Sequence, residues 1–213
     1  MSPLNTPPPP PGWYGKLPAL GDFASRRLPE EFIAQWDDWL LQGLGRCRAS
    51  LGPAWLALYL VAPVQRFALA PGTLGGVAWG GLVMSSVDRV GRHFPLTLAA
   101  PVGSMTCALA APGWYDALEA CARRVLDLQR TVDDLEADLA QLAEQAPPPW
   151  DEDATLAEAG SAWWYRRADG SASALHRYAG LPPPAAFVAV LRHASHIVPL
   201  PASGMDLVPE GLP

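Results

Sequence analysis

Nucleophile, acid and base candidates crowd into two short runs of this 213-residue chain, "GKLPALGDFASRR" and "SSVDRVGRHFP". The first holds Lys16 and Asp22; the second holds Ser85, Ser86, Asp88, Arg89, Arg92 and His93 between apolar flanks that carry no charge. Serine, aspartate and histidine so close together suggest a hydrolytic triad. A triad is a spatial arrangement rather than a run of neighbours, however, and no G-x-S-x-G elbow surrounds either serine. Lys16, Arg89 and Arg92 form a second candidate set, a small-molecule or phosphate site. There Asp22 and Asp88 would compete with the anion for the same donors.

Other chemistries find less support. The glycines of "APGTLGGVAWGG" follow neither the Walker nor the dinucleotide order, and Lys16, the only lysine, lies far upstream. His193 and His196 have no acidic or cysteine neighbour and on a strand would face opposite ways, so no metal site is expected. Asp133, Asp134, Glu136 and Asp138, like Asp151, Glu152 and Asp153, fall where solvated helix faces and linkers carry charge, not as an isolated pair. No catalytic residue and no cofactor is therefore expected. Aspartate accepts where arginine donates through a rigid fork, which leaves two readings of Lys16, Asp22, Asp88, Arg89 and Arg92. They tie adjoining loops together, or they form a partner-binding surface.

Composition narrows the class. With 50% hydrophobic and 17% charged residues the chain can bury a core without disulfides or a structural metal. A net charge of -6 argues against nucleic-acid or anionic-membrane binding, which need clustered positive charge. Cys47, Cys107 and Cys121 are widely spaced in apolar settings, as reduced thiols of a cytoplasmic protein are. The start, "MSPLNTPPPPPG", lacks the basic and apolar segments of a secretory signal and is expected to be a disordered, Pro-rich tail over residues 1–11. Two charge-free stretches, Phe67 to Val87 and Phe94 to Tyr115, have the length of a membrane span, but glycines and prolines break both. Short buried strands explain them better, and no membrane insertion is expected.

The elements that must carry the two runs follow from periodicity. "GWYGKLPALGDF" reads as a short strand turning at Leu20, Gly21 and Asp22. A helix follows from Pro29, with Glu30 and Glu31 at its positive end and Phe32, Trp36, Trp39, Leu40, Gly43 and Cys47 on one face. "GPAWLALYLVAP" predicts a second, short helix between Pro53 and Pro63. "VQRFALA", "GVAWGGLVMSS" and "HFPLTLAAP" predict three strands of an antiparallel meander covered on both faces. The glycine pairs at 75–76 and 80–81 suggest a bulge, or a helix lying close on the sheet.

From Trp114 the apolar positions Leu118, Cys121, Val125, Leu128, Val132, Leu135, Leu139 and Leu142 step by four and three, a heptad-like stripe. The stripe fits a coiled coil or packing on the protein's own sheet. Thr131 as an N-cap, with Asp133 and Asp134 after it, makes two successive helices as good a reading as one. "SAWWYRRADGSASALHRY" predicts a hairpin turning at Asp169 and Gly170, "AAFVAVLRH" a strand or short helix, and the segment after Pro199 a loop. The whole predicts an α+β fold, a mainly antiparallel sheet packed between helices, in a single domain over 12–213 whose part after about residue 147 is less characteristic.

Taken in order from Gly12 to Leu142, "GWYGKLPALGDFASRRLPEEFIAQWDDWL", "PVQRFALAPG", "WGGLVMSSVDRVGRHFPLTLAAP" and "WYDALE" resemble the TagF (ImpM) family of type VI secretion system accessory proteins. The matching motif residues are Gly15, Lys16, Leu17, Pro18, Gly21, Asp22 and Phe23, then Ser86, Val87, Asp88, Arg89, Gly91, Arg92, Phe94 and Pro95. The resemblance implies a sheet between helices and a cytoplasmic, non-enzymatic bacterial protein. It further implies post-translational repression of type VI secretion through binding to the system's forkhead-associated-domain scaffold protein. Some members are fused to a phosphatase domain, which is not expected within these 213 residues. The family pattern carries no catalytic residues, so it does not decide between loop tether and docking surface.

Overall fold

The computed structural model describes residues 8–145, 159–167 and 169–194. Seven strands form one sheet in the order β2-β1-β5-β4-β3-β6-β7, with every pairing antiparallel. The strands are β1 (Gly12–Gly15), β2 (Ala24–Arg26), β3 (Gln65–Leu69), β4 (Ala78–Met84), β5 (Leu96–Val102), β6 (Ser161–Trp164) and β7 (His176–Tyr178). The helices are α1 (Glu30–Leu51), α2 (Trp55–Leu60), α3 (Met105–Leu109), α4 (Pro112–Arg124), α5 (Val132–Leu142) and α6 (Pro184–Ala194). The meander of β3, β4 and β5 lies where the apolar runs place it, and the fold is the expected α+β sheet between helices.

Alternate residues of the central strands feed two cores, as the two-residue period of a strand requires. Tyr14, Phe67, Leu69, Trp79, Val83 and Ala99 meet Phe32, Trp36, Trp39, Leu40 and Leu44 of α1. Their strand neighbours Trp13, Leu82, Leu98 and Ala100 meet Trp114, Tyr115, Leu118 and Cys121 of α4 and Leu135, Leu139 and Leu142 of α5. Helices on both faces explain why these strands contain almost no polar residues. The predicted face of α1 is buried in full, and Leu44 joins it. Trp36 donates its indole N–H to Thr97 Oγ1 of β5 at 2.7 Å, so burying that ring leaves no polar atom unpaired.

Four readings are refined. Residues 24–26, for which the sequence assigns no element, form β2 because the turn after Pro18 sends the chain back along β1. Of the glycines at 80 and 81, the first marks a helix close on the sheet and the second a close approach of Leu98 backbone and the Phe67 ring: register runs unbroken from Ala78↔Val102 to Met84↔Leu96, and Tyr115 of α4 lies over Gly80 and donates to the Phe67 carbonyl at 2.7 Å. The heptad-like stripe is two helices. Thr131 caps α5 in a reciprocal capping box with Asp134, Leu128 in the intervening turn is 80% exposed, and the rest of the stripe faces the sheet. "AAFVAVLRH" is helical, within α6, where Phe187 packs on Trp39.

The hairpin of β6 and β7 turns at Asp169 and Gly170 as expected, with Asp169 Oδ1 accepting from the Ser171 N–H. Pro10 and Pro11 offer their carbonyls to Arg27, so these two residues of the predicted tail are held against β2. Residues 1–7 of that tail, the acidic run 151–153, His196 and the segment after Pro199 lie outside the described residues. Among the described residues no helix is long and apolar enough to cross a membrane. Cys47 and Cys121 are buried thiols, and burial pushes Cys47 up to about 11.

Candidate functional site

Gly15 ends β1 with φ +134°, a conformation that side chains rarely adopt, and turns Lys16 inward beneath the following loop. Lys16 is buried at 4% exposure and donates to Asp88 Oδ2 at 2.7 Å. Asp88 itself begins the turn between β4 and β5. Its Oδ1 accepts from the N–H groups of Val90 (3.0 Å) and Arg92 (2.9 Å), which closes the turn, and its Oδ2 also accepts from Arg92 Nε at 2.7 Å. The Asp88 side chain has no exposed surface. Burial alone would raise its carboxyl, but the Lys16 ammonium, the Arg92 fork and the two N–H groups outweigh it and hold the carboxyl well below the usual carboxylate range.

Bonds to backbone carbonyls join the same two loops. The Arg89 N–H donates to the Leu20 carbonyl at 2.9 Å, Ser86 Oγ donates to the Lys16 carbonyl at 2.7 Å, and Arg92 donates to the Gly21 carbonyl. A strut from α2 completes the joint: the Tyr59 hydroxyl donates to the Ser86 carbonyl and accepts from the Ser86 N–H, both at 3.0 Å. At the edge of the loops the half-exposed Phe23 packs edge-on against Phe94 at 4.8 Å between centroids, and the Lys16 ammonium sits 4.9 Å from the Phe23 ring centroid.

Of the five residues singled out by sequence, Lys16, Asp88 and Arg92 therefore meet at one hub. Asp22 lies at its rim, 3.8 Å from Arg92, with both side chains solvated, a pair that contributes little. Arg89 joins the hub through its backbone alone; its exposed guanidinium has no ion-pair partner among the described residues. Lys16 and Arg92 are thus committed to a carboxylate, which leaves the phosphate-site reading with Arg89 alone. The triad residues do not converge either. Ser86 Oγ donates to a carbonyl, while the His93 ring stands edge-on to Trp55 and Tyr59.

What the hub leaves outside is the solvent-facing side of the two loops. Val90 is 64% exposed and Phe23 45% exposed, with Asp22, Arg89 and Gly91 beside them. Apolar side chains held out by a rigid base cost little further entropy to order, which suits a contact surface. Tyr59 was not legible as part of this site, since the strut depends on α2 folding back over a strand end far along the chain.

A second polar cluster escaped sequence reading altogether. Arg66, in the apolar strand β3, faces α4 and binds Glu119 at 2.8 Å and Asp116 at 2.8 Å. Glu119 also holds Arg123, and Asp116 holds Arg166. The one signal was a lone arginine inside "VQRFALA".

The family model described as "TagF N-terminal domain, Type VI secretion system-associated" matches residues 12–142, which span both loops of the hub. The crystal structure of PA0076 from Pseudomonas aeruginosa PAO1 is similar over 95% of this chain and 100% of that chain, with 36% identity and a TM-score of 0.74. No match is found among curated proteins. This chain belongs to the TagF family of type VI secretion system-associated proteins.

Proposed function

We propose that this protein is a non-enzymatic, cytoplasmic regulator that represses type VI secretion after translation by binding the forkhead-associated-domain scaffold protein of that system. The observation that carries the reading is the Asp88 hub. Its charges are satisfied internally, by Lys16, Arg92 and two backbone N–H groups, so the family motif is spent on rigidity and not on a reacting group. A rigid base beneath exposed Phe23, Val90 and Arg89 is the anatomy of a docking surface with apolar anchors and a charged rim. On this reading loop tether and docking surface are two layers of one site: Lys16, Asp88 and Arg92 tether, while Phe23, Arg89 and Val90 dock.

Co-purification of the scaffold with the wild-type chain, and its loss with Val90→Asp at unchanged thermal stability, tests this reading. Secretion by the gene deletion should rise, and the Val90→Asp chain should fail to lower it again. A chain that neither captures the scaffold nor alters secretion would overturn the proposal.

A further inference from the structure

We propose that the cleft between the end of α2, β3, α4 and the β6–β7 turn binds an extended acidic segment of a partner protein. The cleft measures about 550 Å³ and is lined by Arg66, Arg123, Arg166 and Arg167 against two carboxylates, Asp116 and Glu119. It shares no residue with the Asp88 hub, and the inference does not rest on scaffold binding.

The two carboxylates act as rivets. Glu119 Oε2 receives Arg66 through Nε at 3.0 Å and Nη2 at 2.8 Å, while Oε1 receives Arg123 through Nε at 2.9 Å and Nη2 at 2.7 Å. Asp116 Oδ1 receives Arg66 at 2.8 Å and Oδ2 receives Arg166 at 3.0 Å. Arg167 is fixed separately, from Nη1 to the Ala172 carbonyl at 2.9 Å, and Asp169 in the same turn is engaged by Ser171. Four guanidiniums against Asp116 and Glu119, with Asp169 beside Arg167 in the turn, still leave the site positive in a chain of net charge -6. Arg123 and Arg166 remain 58% and 48% exposed, and each guanidinium has N–H groups beyond those bound to Glu119 and Asp116, so each can take a second carboxylate.

Two features favour a peptide over a free anion. Asp116 and Glu119 lie between the arginines and would repel a small multivalent ion seated among them, whereas a chain lying across Arg123, Arg166 and Arg167 keeps its charges at the rim. The cleft also has an apolar lip, with Leu60 55% exposed beside Val61, Ala62 and Pro63. An acidic segment with an interspersed aliphatic residue uses both; phosphate uses neither lip nor length.

The test is fluorescence anisotropy of the full chain with a labelled peptide of alternating Asp-Glu pairs and leucines. Binding is expected, weakened at least about tenfold by Arg166→Glu with Arg167→Glu, and weakened also by Arg123→Gln and by added salt. Arg123 and Arg166 are about half exposed while Arg66 keeps both carboxylates, so the melting temperature should fall by no more than a few degrees, and Val90→Asp should leave the affinity intact. Arginine-independent binding, no binding, or equal binding of a basic peptide would overturn the proposal. So would equal affinity for a leucine-free peptide together with displacement by millimolar inorganic phosphate, which would make the cleft a free-anion site.

Discussion

Lys16 and Asp88, 72 residues apart in the chain, meet at 2.7 Å with almost no exposed surface, and their contact joins the turn after β1 to the turn between β4 and β5. A buried pair of this kind is weak as a source of stability, because both charges leave water. Its consequence is specificity: only one mutual placement of the two loops satisfies the lysine, the arginine and the two N–H groups that share the carboxylate.

Removing one partner should be costly in proportion to what it orphans. Asp88→Ala strands a buried ammonium and two turn N–H groups, and should lower the melting temperature by roughly 5–15 °C. Asp88→Asn, which keeps an acceptor, should cost less. Lys16→Met should cost least, since Asp88 keeps Arg92 and both N–H groups. Thermal unfolding followed by circular dichroism checks this order, and a Lys16→Met variant less stable than Asp88→Ala would contradict it.

The same hub sets an acid limit. The Asp88 carboxyl titrates lower in the folded protein than in the unfolded chain, where it is near 3.9. Its contribution is therefore complete above about pH 4 and is lost as the pH falls from there toward the depressed folded value. Glu136 adds to the same limb: burial raises it, but Arg27 and the Trp13 indole N–H bring it below its ordinary value. Melting temperature against pH should fall below about pH 4 in the wild type and less steeply in Asp88→Asn.

Gly15 and Gly91 both have positive φ but differ in surroundings. A Cβ on Gly15 would lie 2.0 Å from the Pro95 carbonyl oxygen, whereas one on Gly91 would meet nothing within 4 Å. Gly91→Ala should cost about 1–2 kcal/mol from backbone strain alone. Gly15→Ala adds a collision with backbone and should cost at least about 3 kcal/mol or prevent soluble expression. Denaturant titration of the two variants separates the effects.

Along the former heptad stripe, substitutions should distinguish sheet packing from a coiled coil. Leu135→Ala should cost about 2–5 kcal/mol and Leu128→Ala less than about 0.5 kcal/mol, because the first is 1% and the second 80% exposed. Thr131→Ala, which removes the α5 cap, should cost about 1 kcal/mol. Equal penalties at Leu128 and Leu135 would restore a continuous partner-facing helix.

The sequence carried the layers of this fold well. Period and composition are local properties, so the buried face of α1, the β3–β5 meander and the Thr131 cap could be read from neighbouring residues. β2 could not, because "ASR" has no apolar alternation and is a strand only through its pairing with β1. The hub residues were recognisable as a group, yet their division of labour was not. Lys16 turns inward and the half-exposed Arg92 reaches back to Asp88, while Arg89, between two of the same motif positions, turns out, and that depends on the path of a tight turn. Arg66 and Glu119 were lost to view for a similar reason: each looks like a stray charge until β3 and α4 are packed together.

On the proposed reading the two motif loops supply a tether of Lys16, Asp88 and Arg92 and, beside it, a docking surface of Phe23, Arg89 and Val90. The most direct measurement is a pull-down of the forkhead-associated scaffold by Val90→Asp and Arg89→Glu chains, with melting temperatures recorded on the same preparations. Scaffold capture should fall at least about tenfold while the melting temperature stays within a few degrees of wild type. Undiminished capture by both variants, or capture lost only in step with stability, would contradict it.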